Sequence, residues 1–140
     1  MATVTSFDPE LLETRDVHKL LSSAIAPRPI AFASTIDAQG NVNLSPFSFF
    51  NVFSSNPPIL IFSPARRVRD NTTKHTLQNA AETKEVVINT VDFSIVEQMS
   101  ESSKEYAKGV NEFIESGLTE VPSLKVKPPR VLESPVSFEC

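Results

Sequence analysis

Apolar and polar positions change period several times along the chain, and each change marks an element. Ser6-Phe7-Asp8-Pro9-Glu10 reads as a helix start, with Asp8 as N-cap and Pro9 at the first helical position. Leu11, Leu12, Val17, Leu20 and Leu21 then supply an apolar face, in one helix or two short ones. Ala26-Pro27-Arg28-Pro29 is extended, because each proline restricts the residue before it. Ile30-Ala31-Phe32-Ala33-Ser34-Thr35-Ile36 reads as a strand, favoured by its β-branched and aromatic residues. Asp37-Ala38-Gln39-Gly40 is turn chemistry, which predicts a hairpin into Val42-Asn43-Leu44-Ser45.

The pattern then becomes mixed. Residues 46–53 hold four phenylalanines among Pro46, Ser48 and Asn51. They are too polar for a plain core strand and too aromatic for a solvated loop. Pro57-Pro58 ends this stretch, and the continuous run Ile59-Leu60-Ile61-Phe62 predicts a strand buried on both faces. A helix is expected over 74–82, capped by Asn71, Thr72 or Thr73. A strand follows over 84–91, then a capped helix over 92–98. Residues 104–115 are helical in pattern, broken near Gly109 and stopped at Gly117. Prolines punctuate 121–135, and 134–140 starts a further strand. Strands without regular βαβ alternation point to a barrel or an α+β fold, and no internal repeat is present.

Composition narrows the function classes. The 140 residues suit one domain over 1–140. A net charge of −4 argues against a nucleic-acid binder, although a small anion needs only a local basic cluster. A single cysteine, Cys140, leaves no disulfide framework, which fits a reducing compartment. No apolar run approaches the roughly 20 residues of a membrane helix. The polar, acidic N-terminus does not read as a secretory signal, so a cytoplasmic protein without membrane association is expected. Gly40, Gly109 and Gly117 cannot build a GxGxxG or P-loop fingerprint, so a phosphorylated cofactor must be held by another geometry. One cysteine and the distant His18 and His75 are poor material for a metal site, and none is expected.

Two stretches offer chemistry. Asn43-Leu44-Ser45-Pro46-Phe47-Ser48-Phe49-Phe50 combines backbone donors, hydroxyls and aromatic faces, the combination that a flat heteroaromatic ligand needs. The alternative is a buried aromatic cluster with polar edges. The second is the basic run Arg66, Arg67, Arg69, Lys74 and His75, which leads into a helix carrying Asn71, Thr72, Thr73 and Thr76 in or before its first turn. A helix N-terminus with a lysine beside it suits phosphate. The alternative is a solvated charged loop. His18 reads as a surface or packing residue, Tyr106 and Lys108 near Gly109 as loop packing with ligand contact as the alternative, and Glu97, Glu101 and Glu105 as a solvated helix face rather than paired catalytic acids.

These residues resemble a known family. The block from Pro27-Arg28-Pro29-Ile30 through Asp37-Ala38-Gln39-Gly40 to Asn43-Leu44-Ser45-Pro46-Phe47-Ser48-Phe49-Phe50 is similar to flavin-reductase-like, FMN-binding split-barrel proteins. That family includes flavoredoxins and the reductase components of two-component monooxygenases. Pro57-Pro58-Ile59-Leu60-Ile61-Phe62-Ser63, Lys74-His75-Thr76-Leu77-Gln78-Asn79, Phe113-Ile114-Glu115-Ser116-Gly117-Leu118-Thr119 and the last eight residues extend the similarity over most of the chain from Leu20 onward.

The resemblance implies a mainly β fold with helices, a six-stranded Greek-key barrel, and a homodimer with FMN at its interface. By position, Ser34, Thr35, Asn43, Ser45, Pro46, Phe47, Ser48 and Phe49 meet the flavin ring and ribityl chain. Ser63 joins them from its own matching block, and Lys74, His75 and Thr76 match the segment near the phosphate. His75 stands where family members usually carry aspartate. The implied activity passes electrons from NAD(P)H through FMN to an acceptor, with no catalytic side chain assigned. The alternative is a flavin-binding electron carrier without NAD(P)H turnover. Family members continue past Glu139-Cys140 with further strands. The barrel is therefore expected to be incomplete here, either through truncation or with its open edge paired by a partner subunit.

Overall fold

The computed structural model describes residues 4–64, 66, 72–107 and 109–140. Arg67, Arg69, Asn71 and Lys108, which entered the readings above, lie outside the described residues. The lead-in divides in two, as its pattern allowed. Asp8 accepts the Glu10 N–H at 3.0 Å and caps a 3₁₀ turn at Pro9–Leu11. Helix α1 follows at Thr14–Ala24.

Strands β1 (Ala31–Ile36) and β2 (Val42–Phe47) form the expected hairpin, in register from Ala31 opposite Phe47 to Ile36 opposite Val42. Its turn is closed by the Asp37 carboxylate, which accepts the N–H groups of Gln39 at 2.9 Å and Asn41 at 2.8 Å. Gly40 takes φ 91°, a left-handed conformation that glycine adopts without a Cβ clash. The chain bends at Ser48–Phe49 and runs back as β3 (Phe50–Ser55), paired with β4 (Pro58–Phe62). Here the structure corrects the expectation of a doubly buried strand. Only Leu60 and Phe62 turn inward, while Ile59 is 41% and Ile61 48% exposed. The hairpin packs on one side only, so alternate residues of the apolar run face outward.

Helix α2 spans His75–Thr83 with Lys74 at its N-cap, and no side-chain hydrogen bond caps it. The caps expected at Thr72 or Thr73 are therefore not used. Lys84 adopts a left-handed conformation at φ 62° and ends the helix, so the strand expected over 84–91 shortens to β5 (Val87–Asn89). Asp92 caps a 3₁₀ turn at Phe93–Ile95 that leads into α3 (Val96–Ser102). The helix expected over 104–115 is also corrected. Residues 103–107 and 109–110 are not helical, and α4 covers only Glu112–Ser116, between an Asn111 cap and the left-handed Gly117. Asn111 binds the Phe113 N–H, which starts a new helix rather than extending an old one. Short strands β6 (Glu120–Val121) and β7 (Arg130–Val131) pair with each other, and β8 (Ser137–Glu139) closes the order.

Among the described residues the strands pair antiparallel in three sheets, ordered β2-β1-β5-β8, β3-β4 and β6-β7, and no barrel closes. β1 is buried on both faces. Phe32 packs with Leu44, Ile95, Phe113, Leu118 and Val131 on the side of α3, α4 and β7. Ala31, Ala33, Phe47 and Ile88 meet Phe50, Leu60 and Phe62 of the β3-β4 hairpin on the other. Asn89 ties the layers together. It donates to the Phe32 carbonyl at 3.0 Å and accepts from the Val131 N–H and the Ser137 hydroxyl. A groove of about 800 Å³ lies between β8 and the β3-β4 hairpin, lined by Val52, Leu60, Phe138 and Cys140 among others.

Candidate functional site

Two clefts open near the end of β2, and Lys74 lines both. The first is aromatic, with a volume of about 190 Å³. Its floor is Pro46 and Phe47 at the end of β2, with Ser48 and Phe49 from the bend that follows. Ser63, just past β4, joins them because its N–H bonds back to the Phe49 carbonyl at 2.9 Å. The other wall comes from α1 and the segment after it, through His18, Ser22 and Arg28.

Arg28 fixes that wall. Its Nε donates to Ser48 Oγ at 3.3 Å, and its Nη1 donates to the carbonyls of Ser22, at 2.8 Å, and Ile25. The guanidinium lies 5.7 Å from the centroid of the Phe49 ring, and the His18 ring meets Phe49 edge-on at 5.8 Å. Phe47 is held from beneath by Phe62 at 5.5 Å, and Lys74 Nζ sits 4.7 Å above its ring. Ser22 Oγ is buried and has no hydrogen-bond partner among the described residues. A buried hydroxyl left unpaired costs about 1–3 kcal/mol.

The second cleft is polar, with a volume of about 110 Å³. Asn43 and Ser45 enter from β2, Lys74 and His75 from the start of α2, and Ser103, Lys104, Glu105 and Tyr106 from the loop after α3. Asn43 Nδ2 donates to Thr76 Oγ1 at 3.0 Å, which registers α2 against β2. Glu101 organises the loop. Its Oε1 lies 2.5 Å from Lys104 Nζ and accepts the Tyr106 hydroxyl at 3.1 Å. The bond from Lys104 lowers the Glu101 carboxyl's pKa, and the same bond raises that of the Lys104 ammonium. Glu112, the first residue of α4, completes the cleft. It is 5% exposed, and its Oε2 accepts the Leu44 N–H at 3.0 Å. Burial raises its carboxyl pKa, against the lowering effect of the Leu44 bond.

The residues expected to bind cofactor are therefore divided. Pro46, Phe47, Ser48, Phe49, Ser63 and Lys74 converge on the aromatic cleft, and Asn43, Ser45, Lys74 and His75 line the polar one. Ser34, Thr35 and Thr76 line neither cleft and are fully or almost fully buried. Ser34 donates to the Pro129 carbonyl at 2.5 Å, Thr35 accepts from Asn79 at 3.2 Å, and Thr76 holds Asn43. Their hydroxyls serve the packing beneath the site. Arg66 is described and exposed, but it lines neither cleft.

Sequence reasoning missed His18, Ser22, Arg28, Lys104 and Glu112. Arg28, set between two prolines in a block of otherwise apolar residues, carried the one visible signal. No group of three or more His, Cys, Asp or Glu among the described residues is arranged to hold a metal ion. Nor is any helix among them long and apolar enough to cross a membrane.

Residues 23–140 match the family model described as the flavin reductase like domain. An uncharacterized protein of Aquifex aeolicus is 45% identical over 124 residues, covering 89% of this chain and 63% of its own length. Nitrilotriacetate monooxygenase component B from Bacillus cereus superposes with a TM-score of 0.94 at 31% identity, over 100% of this chain and 68% of that one. A Shewanella frigidimarina protein with a split barrel domain superposes at 0.77 with 32% identity, over 97% and 67%. The chain thus spans a little under two thirds of the curated relatives' length.

Proposed function

Because the chain belongs to the flavin reductase-like family, whose fold is the split barrel, we propose that it is an FMN-binding oxidoreductase that carries electrons from NAD(P)H to a further acceptor. One observation carries the reading. The two stretches singled out by residue chemistry meet in space, with the Lys74 ammonium over the Phe47 ring at the junction of an aromatic and a polar cleft. FMN has that same division, a flat apolar ring at one end and a phosphate at the other.

The residues fit the group. Phe47 and Phe49 supply ring-sized apolar walls, and Ser48 and the unpaired Ser22 hydroxyl supply polar partners at their edge. Arg28 holds the Ser48 hydroxyl and the end of α1 in place, so the ligand does not have to order them. Lys74 offers positive charge to the phosphate, and the start of α2 at His75 offers helix N–H groups. Asn43, anchored on Thr76, and Ser45 face the polar portion between the two ends. When bound, the flavin supplies hydride acceptance from a nicotinamide and onward electron transfer. The protein's part is to place the ring, hold the phosphate and leave one ring face open to the donor. No side-chain acid or base is assigned to the reaction.

A homodimer with FMN at its interface belongs to the same proposal. Both clefts are open to solvent on their outer side, where a second subunit can complete the enclosure. The lone cysteine is in keeping with a cytoplasmic location. Oxygen, iron or a partner enzyme are the acceptor classes in view.

The test is anaerobic mixing of the purified protein with FMN and NADH or NADPH. Rapid loss of the visible flavin absorbance is expected. Tight FMN binding without bleaching identifies an electron carrier instead, and absence of FMN binding overturns the flavin reading altogether.

A further inference from the structure

Glu112 takes no part in the proposal above, yet it is the buried acid of the cleft assigned to the phosphate. Its carboxylate bonds the N–H of Leu44, which lies on edge strand β2 between the cleft residues Asn43 and Ser45. The bond crosses 68 residues of sequence and leaves the side chain only 5% exposed.

The charged and titratable groups around it come from every neighbouring element. Lys74 and His75 face the cleft from α2, and Lys104, Glu105 and Tyr106 face it from the loop. Glu101 of α3 is engaged with Lys104 and Tyr106, and β2 brings only the neutral Asn43 and Ser45. Glu115, on the same helix as Glu112, is exposed. An anion entering this small cleft is drawn by the lysines and repelled by Glu112.

We propose that Glu112 sets the charge selectivity of the polar cleft, so that a phosphate monoester held near Lys74 and His75 binds with uptake of a proton by Glu112. The inference rests on the flavin reading and assigns its phosphate end a proton-linked control. The protonated carboxyl still accepts the Leu44 N–H through one oxygen, so strand β2 keeps its edge bond while the repulsion disappears. Its O–H becomes a donor facing the anion. The burial that already raises the carboxyl's pKa makes this proton easy to take up.

The experiment compares FMN with riboflavin, which lacks the phosphate, in wild type and Glu112→Gln from about pH 5 to about pH 9. Glutamine keeps the acceptor for Leu44 and removes the charge. At the alkaline end Glu112→Gln is expected to bind FMN roughly tenfold tighter than wild type, and at the acid end within about twofold. Riboflavin is expected to bind both proteins alike throughout. The phosphate's own ionisation near about pH 6 is common to both proteins and cancels in their ratio.

Calorimetry of both proteins in buffers of different ionisation enthalpy gives a second reading, because protons exchanged by His75 and by the phosphate are common to the two. Wild type is expected to take up more protons with FMN than Glu112→Gln does, and the two are expected to match with riboflavin. A wild-type to variant ratio that does not change with pH, or equal proton uptake by the two proteins with FMN, overturns this inference and leaves the flavin reading standing. No FMN binding at any pH overturns both.

Discussion

Replacing Lys74 with methionine removes the ammonium and keeps an unbranched stem over the Phe47 ring, so it isolates the contribution of charge. The structure sets the scale. Lys74 Nζ lies 4.7 Å over the ring, in a half-buried position that lines both clefts. A unit charge pair at about 4 Å is worth roughly 4 kcal/mol at an effective dielectric of about 20. Partial exposure brings this down to the range of a charged hydrogen bond, about 1.5–3 kcal/mol. A loss of about 2 kcal/mol corresponds to roughly a 30-fold rise in Kd for FMN. Riboflavin carries no phosphate, and only the modest cation–ring attraction is lost, so its Kd is expected to move by less than about threefold. Fluorescence-quenching titrations of both flavins measure this directly. The FMN effect is expected to shrink at high ionic strength, where exposed charges are screened. Equal losses for the two flavins, or no loss for FMN, refute the placement of the phosphate.

Other consequences follow from single observations. Ser22→Ala removes the buried hydroxyl that has no partner among the described residues, so the ligand-free protein is expected to gain up to about 1 kcal/mol in urea unfolding while its flavin affinity falls. Phe113→Ala empties a site 1% exposed in the cluster with Phe32 and Leu44, and is expected to cost about 3–5 kcal/mol by the same assay. Glu112 has a folded-state pKa raised above its unfolded value, so the native state holds the extra proton between the two. Stability is therefore expected to fall as pH rises from about 4.3 through the raised value, and Glu112→Gln is expected to flatten that part of the profile.

The sequence revealed most where the physics is local. Asp37 and Gly40 close the β1-β2 turn through bonds that reach no further than four residues, and the hairpin was legible from them. Residues 46–50 were legible as neither core nor loop, because their phenylalanines and hydroxyls fit neither pattern. What the sequence left out has distant causes. Ser34 and Thr35 sit on a strand buried on both faces, and their partners lie 95 and 44 residues away. Ile59 and Ile61 read as buried because an apolar run carries no record of how many layers cover it. Residues 104–110 carry helical spacing, but Glu101 gathers Lys104 and Tyr106 into a loop that shapes the polar cleft. Glu112 and Ser22 gain meaning only through the residues that the fold brings beside them.

The proposed flavin site lies between the aromatic bend after β2 and the start of α2. A crystal structure of the protein grown with FMN tests it most directly. The ring is expected against Phe47 and Phe49, beside Ser48 and Ser22, with the phosphate within hydrogen-bonding distance of Lys74. FMN bound elsewhere on the chain, or with its phosphate turned away from Lys74, contradicts it.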